Sequence, residues 1–211
     1  MKYIMKLIFD LDNTLFSANR SDYSTYVHAC MEMNLKMLNM EKYIFHRRNS
    51  GLGKIAELSQ VDVKTLRNKM LVLESEEQHE HDELILNLEK FAVLLEKSEN
   101  IILTRRNSQN IVLNQLFNCG LEDLFDVRLV WGSSEKEVAR LKAHSLMQEE
   151  GDAYFGDKCS DFVAAIESRT PFYWVNTGFY CEVCKGQQKY SDINFALDQF
   201  FSQLEETSIN L

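Results

Sequence analysis

The sequence is almost free of proline and poor in glycine. Among its 211 residues there are 8 glycines, and Pro171 is the sole proline. Long disordered linkers are usually rich in these two residue types, so this composition argues against them. Hydrophobic residues make up 45% of the chain, which is ordinary for a folded protein. We therefore expect one large domain, or one domain with a sizeable insertion.

The sequence also lacks a long apolar run and an excess of positive charge. The apolar stretch 1–9 is interrupted by Asp10 and Asp12, no cleavage site comes after it, and no other segment is long enough to span a bilayer. The net charge is −9, which disfavours nucleic acid and anionic membranes as partners. We expect a cytoplasmic monomer or homodimer whose partner is a small molecule.

The five cysteines are odd in number and widely scattered along the chain. This usage is typical of reduced thiols in a cytosolic protein rather than of a disulfide framework.

Five short apolar runs, rich in β-branched and aromatic residues, predict buried strands at 3–9, 101–103, 127–131, 153–155 and 172–175. Most of them do not alternate with polar residues, which favours a parallel sheet covered on both faces. Helical stretches separate the later runs. We therefore predict an α/β fold with a doubly wound, Rossmann-like parallel sheet.

The region 17–83 breaks this alternation because it contains no convincing strand. Apolar residues recur at helical spacing over 26–40, 52–58 and 63–73, and the acidic run 74–83 resembles a solvated return segment. We predict that 17–83 forms an all-helical cap inserted after the first strand. Residues 1–16 and 84–211 then form the catalytic core.

The strongest chemical signal lies at the end of the first strand, where Asp10 and Asp12 flank Leu11. Ligand sites of parallel sheets form at the carboxyl ends of strands, and carboxylates with apolar flanks are costly unless a metal or fixed donors compensate them. A single pair of this kind is more often a solvated strand end. The functional interpretation therefore depends on the residues at the ends of the other strands.

Three further strands also end in polar groups of complementary chemistry. The second strand ends at Thr104, and Arg105 follows it. Lys136 lies in the predicted first helical turn after the third strand, and Asp157 and Asp161 come after the fourth strand. In a parallel sheet these ends open on one edge. Acids there suit Mg²⁺, and a hydroxyl and a lysine suit phosphate oxygens.

This order of motifs resembles the four signature motifs of the haloacid dehalogenase superfamily, in its phosphatase branch, over about 3–176. The resemblance implies that Asp10 is the nucleophile, forming an aspartyl-phosphate, and that Asp12 is the general acid and base. It implies that Thr104 and Lys136 hold the phosphoryl group, together with backbone amides near Leu11 and Asp12.

The same resemblance implies a magnesium site made by Asp10, Asp12 through its carbonyl group, and Asp157, with Asp161 supporting the metal or orienting the lysine. The lysine motif matches less well than the others, because relatives often have proline after the lysine. Lys142 is the alternative. We favour Lys136, since a first-turn position can reach the edge of the sheet.

Three other cations are candidates for substrate contact. Arg105 comes directly after the threonine of the second motif, and Arg47 and Lys54 flank a glycine-containing stretch between predicted cap helices. For Arg47 and Lys54 the alternative is an ordinary helix start with solvated cations.

The predicted function is a Mg²⁺-dependent phosphatase acting on a small phosphorylated metabolite, such as a sugar phosphate, phosphoglycolate or a nucleoside monophosphate. Dehalogenases of the superfamily lack the second acid, so Asp12 argues against halide removal. A phosphomutase that uses the same residues is one alternative. A non-catalytic phospho-acceptor is another, although receiver domains carry their Asp, Thr and Lys in a different order.

Overall fold

The computed structural model describes residues 4–74, 79, 82–106, 108–177 and 188–209, which form eight strands and eight helices. The strands are β1 Lys6–Phe9, β2 Phe16–Ser17, β3 Glu83–Leu84, β4 Glu99–Thr104, β5 Asp126–Leu129, β6 Ala153–Gly156, β7 Phe172–Val175 and β8 Lys189–Tyr190. The helices are α1 Asn19–Met33, α2 Met40–Leu58, α3 Val63–Leu73, α4 Leu88–Leu95, α5 Gln109–Asn118, α6 Glu135–Glu149, α7 Cys159–Ser168 and α8 Ile193–Ile209.

Six strands form a parallel sheet in the order β5-β4-β1-β6-β7-β8, which confirms the predicted α/β class. β1 lies inside the sheet, where Phe9 is in register with Ile102 of β4 and with Phe155 of β6. The residues that come after β1, β4 and β6 therefore emerge side by side at one edge.

Helices cover both faces of the sheet, as the unalternating strand sequences predict. Leu7 and Phe9 of β1 pack into a cluster that includes residues of α4, α5 and α8. Ile8, on the opposite face of the same strand, packs with residues of α6 and α7. The two-residue period of the strand thus divides the apolar residues between two cores.

Helices α1 to α3 lie between β2 and β3, which pair antiparallel through Phe16 with Leu84 and Ser17 with Glu83. The three helices share an apolar cluster of their own, centred on Tyr26, Tyr43 and Ile55.

The helix predicted over 26–40 ends earlier than expected, at Met33, because Asn34 adopts a left-handed conformation with φ 52°. A residue in that conformation terminates a helix. α2 is interrupted at Gly51, whose φ of 74° suits glycine and breaks the helix in two.

None of the described helices is both long and apolar enough to cross a lipid bilayer. Cys30 and Cys119 are free thiols. Cys159 is disulfide-bonded, so the expectation of reduced cysteines is wrong for this residue.

Candidate active site

Asp10, Asp157 and Asp161 meet at the edge where β1 and β6 end, with one carboxylate oxygen from each within 4.8 Å of the others. Asp10 comes directly after β1, and its amide donates to the carbonyl group of Phe155 in β6 at 2.8 Å. All three aspartates are buried. Three of the four acids predicted from the sequence therefore form one cluster.

The start of α7 turns Asp161 back toward the sheet. Its Oδ2 accepts a hydrogen bond from the Lys158 amide at 3.0 Å, which caps the helix. Gly156 leaves room for this approach, since a Cβ atom there would lie 2.7 Å from the Cβ atom of Asp161. Close packing thus favours glycine at position 156, directly before Asp157.

Lys142 supplies the buried positive charge of the cluster. Its Nζ lies 2.6 Å from Asp10 Oδ1, 2.6 Å from Asp161 Oδ1 and 3.2 Å from the Tyr154 hydroxyl group. Burial lowers the pKa of Lys142, but the charges of Asp10 and Asp161 outweigh this and raise it above its ordinary value. Lys158 adds a second ammonium group, 3.9 Å from Asp10 Oδ2.

The preference for Lys136 is corrected by this geometry. Lys136 is the second residue of α6 and is exposed, whereas Lys142 lies on the buried stripe of the helix with Val138 and Leu146. That apolar stripe is the feature of the sequence that could have identified Lys142 as the buried lysine. A lysine four residues from an apolar neighbour on each side points into the core, and it is stable there only with buried acids.

Asp157 has the property expected of a metal ligand. Neither of its carboxylate oxygens has a hydrogen-bond partner among the described residues, although both are buried, and the same holds for Asp10 Oδ2. Burial, with further contributions from Asp10 and Asp161, raises the pKa of Asp157 well above its ordinary value. Buried carboxylates without partners are costly unless a cation binds them, so these oxygens fit Mg²⁺.

Asp12 lies beside this cluster on the wall of a cavity of about 360 Å³. Its Oδ1 forms an ion pair with Arg106, which also pairs with Glu74 and contacts His79. The sequence indicated a solvated segment over 74–83. That expectation is wrong for Glu74, His79 and Asp82, whose side chains are at most 18% exposed, whereas the Glu83 side chain is 69% exposed.

Thr104 ends β4 and is buried, and its carbonyl group accepts from the Val130 amide at 2.9 Å. Leu11 is fully buried, and its carbonyl group accepts amides of the turn that carries Asp12 away from β1. Arg105 lines the cavity, where it donates to the Gly132 carbonyl group at 2.9 Å. Leu11 directly follows Asp10 along the chain, and Thr104 ends β4, the strand that pairs with β1.

The cavity lies between the sheet edge and helices α1 to α3. Arg47 is on its wall, held by Asp22 through two hydrogen bonds of 2.9 and 3.1 Å. Lys54 does not belong to the described lining. Its side chain is half-buried and pairs with Glu57, the residue three positions later on α2, at 2.7 Å.

Comparison with known proteins gives a family and a fold. Residues 7–175 match the family described as haloacid dehalogenase-like hydrolase. No curated protein matches the chain.

Three solved structures share a similar fold with this chain. A haloacid dehalogenase-like hydrolase from Streptococcus pneumoniae is 13% identical, with 93% of this chain and 98% of that chain covered and a TM-score of 0.66. A predicted phosphoglycolate phosphatase from Haemophilus somnus is 15% identical, with 95% and 99% covered and a TM-score of 0.67. A candidate β-phosphoglucomutase from Thermotoga maritima is 15% identical, with 94% and 99% covered and a TM-score of 0.59.

Proposed function

Because the chain belongs to the haloacid dehalogenase-like hydrolase family, we propose that it is a Mg²⁺-dependent phosphatase acting on a small phosphomonoester. The observation that carries the proposal is the buried cluster in which Asp10 is held by Lys142 and lies beside the unpartnered carboxylate of Asp157. Such a cluster has little structural value on its own, since apolar residues would fill the same space at lower cost.

Asp10 is the nucleophile in this proposal. Lys142 fixes its Oδ1, and Oδ2 has no hydrogen-bond partner among the described residues. A carboxylate oxygen of Asp10 attacks phosphorus, the ester P–O bond breaks, and the departing alcohol oxygen takes a proton from Asp12. Water then attacks the phosphorus of the aspartyl-phosphate, Asp12 takes a proton from that water, and inorganic phosphate and free Asp10 result.

Lys142 takes the role that was first expected of Lys136. Its ammonium group neutralises Asp10 and Asp161 in the resting state and is near enough to contact a phosphoryl oxygen on Asp10. Thr104 and the amides near Leu11 and Asp12 are proposed to complete the phosphate cradle. Arg105 and Arg47 are proposed to contact the rest of the substrate from the cavity wall.

Asp10, Asp157 and the backbone carbonyl group of Asp12 would hold Mg²⁺, and the ion would supply positive charge that shields the phosphate from these acids. Asp161 is already engaged by Lys142, Tyr154 and the Lys158 amide. It is therefore proposed to orient Lys142 and to support the metal indirectly.

We further propose that 17–83 acts as a cap over the core formed by 1–16 and 84–211. A cavity of about 360 Å³ between the two suits a small phosphorylated metabolite rather than a macromolecule. A cytoplasmic location and a monomeric or dimeric state belong to the same proposal, and cell fractionation and gel filtration test them.

Phosphomutase activity is the alternative, supported by fold similarity to the candidate β-phosphoglucomutase. The same residues would serve, with the phosphoryl group returned to a second substrate position. Dependence on a bisphosphate activator would indicate a mutase. Phosphorylation by a small phosphodonor without turnover would indicate a non-catalytic phospho-acceptor.

The test is phosphate release from a panel of small phosphate esters with Mg²⁺, comparing the wild type with Asp10→Asn. We expect turnover that chelation abolishes and that the substitution lowers by at least about 10³-fold. Asp123→Asn, an exposed acid, is the matched control and should keep wild-type turnover. Undiminished activity of Asp10→Asn would refute the mechanism, and absence of phosphate release from every ester would refute hydrolase function.

A further inference from the structure

Arg106 joins the proposed acid of the core to the end of helix α3 in the 17–83 region. It is the second residue after β4, and its side chain is only 1% exposed. Nη2 pairs with Asp12 Oδ1, and Nη1 pairs with Glu74 Oε1, which belongs to the residue directly after α3. The two arms of one guanidinium fork therefore engage carboxylates from opposite sides of the cavity.

A second layer of contacts keeps this guanidinium group in place. His79 contacts both terminal nitrogens of Arg106, and its Nδ1 lies 2.8 Å from Asp82 Oδ2. Gln115 of α5 donates to the same Asp82 oxygen at 3.2 Å. The arrangement runs from α5 through His79 to Arg106 and ends on Asp12. A buried arginine so surrounded has little freedom to change rotamer.

The geometry points to Arg106 as a positioning residue for Asp12, with Glu74 making that positioning depend on where α3 lies. The inference rests on the proposed phosphatase function. Arg106 engages Oδ1 of Asp12, which leaves Oδ2 to exchange a proton with the substrate. An acid two residues beyond the nucleophile, on a turn with 14% of its side chain exposed, needs such a restraint to keep a productive direction.

Leaving-group dependence tests the inference, because a merely structural defect slows all substrates alike. A p-nitrophenolate group departs without a proton, whereas an alkoxide requires one from Asp12. We would measure alcohol release in a single turnover, with Mg²⁺, from p-nitrophenyl phosphate and from a simple alkyl phosphate.

We expect Arg106→Ala to slow release from the alkyl ester by about 10- to 100-fold and release from the aryl ester by less than about 3-fold, as for partial loss of general acid catalysis. Arg106→Lys should recover only part of the loss, since lysine keeps the charge but lacks the planar fork whose two arms pair with Asp12 and Glu74. Asp12→Asn should give the same selectivity, and Arg106→Ala should add little to it.

Arg128→Ala is the matched control. Arg128 also lies between two carboxylates, Glu149 at 3.1 Å and Asp126 at 3.8 Å, but on the surface. It should leave both rates unchanged. If Arg106→Ala does not fold, the rates of alcohol release from the two esters are compared in Arg106→Lys instead.

The outcomes separate this inference from the proposed function. Equal losses on both esters would overturn the positioning role while leaving the phosphatase function intact. A selective loss in Arg106→Ala with none in Glu74→Gln would overturn the dependence on the cap. A wild type that releases alcohol from neither ester would overturn the proposed function and this inference with it.

Discussion

Replacing Lys142 by methionine tests the buried cluster most directly. Methionine keeps most of the side-chain volume but removes the ammonium group that lies 2.6 Å from both Asp10 and Asp161. At that separation and an effective dielectric constant of about 20, each contact carries a Coulomb attraction of about 6 kcal/mol. Desolvation of the three charged groups offsets much of this attraction.

The net effect is set by the groups that remain after the substitution. Asp10 and Asp161 would stay buried without their cation, and removal of one partner from a buried ion pair costs about 3–5 kcal/mol. We therefore expect Lys142→Met to lower the free energy of unfolding by about 3–5 kcal/mol and the Tm by about 6–20 °C for a chain of this length. Phosphatase turnover should fall by at least about 100-fold, since Asp10 loses its fixed orientation.

Lys136→Met is the matched control, because it removes the same group from the same helix at an exposed position. Its free energy of unfolding should change by no more than about 0.5 kcal/mol. Both variants would be followed by thermal unfolding without Mg²⁺ and by phosphate release with it. Normal stability and turnover in Lys142→Met, with loss of turnover in Lys136→Met, would refute the structural assignment and restore the expectation from the sequence.

Three other predictions rest on the described contacts. Gly156→Ala places a Cβ atom 2.7 Å from that of Asp161 and should lower the free energy of unfolding by about 1–3 kcal/mol. Gly53→Ala is the control, because a Cβ atom at position 53 meets no atom within 4 Å, and it should not destabilise the protein. Thermal unfolding of the two variants is the measurement. The raised pKa of Asp157 means that, between the ordinary aspartate pKa and the raised value, the metal-free folded protein holds a proton that the unfolded chain has released. The free energy of unfolding of the metal-free protein therefore falls as pH rises above the ordinary aspartate pKa. Mg²⁺ must displace that proton, so calorimetry should find tighter Mg²⁺ binding at higher pH, and Asp157→Asn should weaken binding. Burial lowers the pKa of His79, but the neighbouring carboxylates of Asp82 and Glu74 outweigh burial and raise the pKa overall. Protonated His79 therefore stabilises the folded protein fully at low pH, and this stabilisation is lost as pH rises through the raised pKa. His79→Gln should therefore lower the Tm more at pH 6 than at pH 9, and an equal drop at both would contradict this assignment.

The sequence predicts the sheet and its acidic edge because both depend on local patterns. A buried parallel strand needs an unbroken apolar run, and β1 and β6 each show one immediately before their acids. Parallel pairing then brings Asp10 and Asp157 to one edge without any further information. Order along the chain was sufficient for these elements.

The contacts of Lys142 and Arg106 could not be found in the same way. Lys142 is 132 residues from Asp10, and Arg106 is 94 residues from Asp12. Which lysine of a helix faces the sheet depends on the rotation of the helix about its axis, and an error of about half a turn exchanges an exposed lysine for a buried one. The apolar stripe of α6 contained that information for Lys142, but no periodic pattern marks Arg106.

The charges at the sheet edge explain why metal and substrate should bind together. Three buried carboxylates, from Asp10, Asp157 and Asp161, face two ammonium groups, from Lys142 and Lys158. When Asp157 is ionised, one negative charge is uncompensated, and it falls where Asp157 lacks hydrogen-bond partners among the described residues; in the metal-free state the proton on Asp157 cancels it. A divalent cation that displaces this proton would make the cluster net positive, and a phosphate dianion would then make it net negative. The metal-free cluster has no net positive charge to attract a phosphate dianion, so we expect phosphate to bind after the cation.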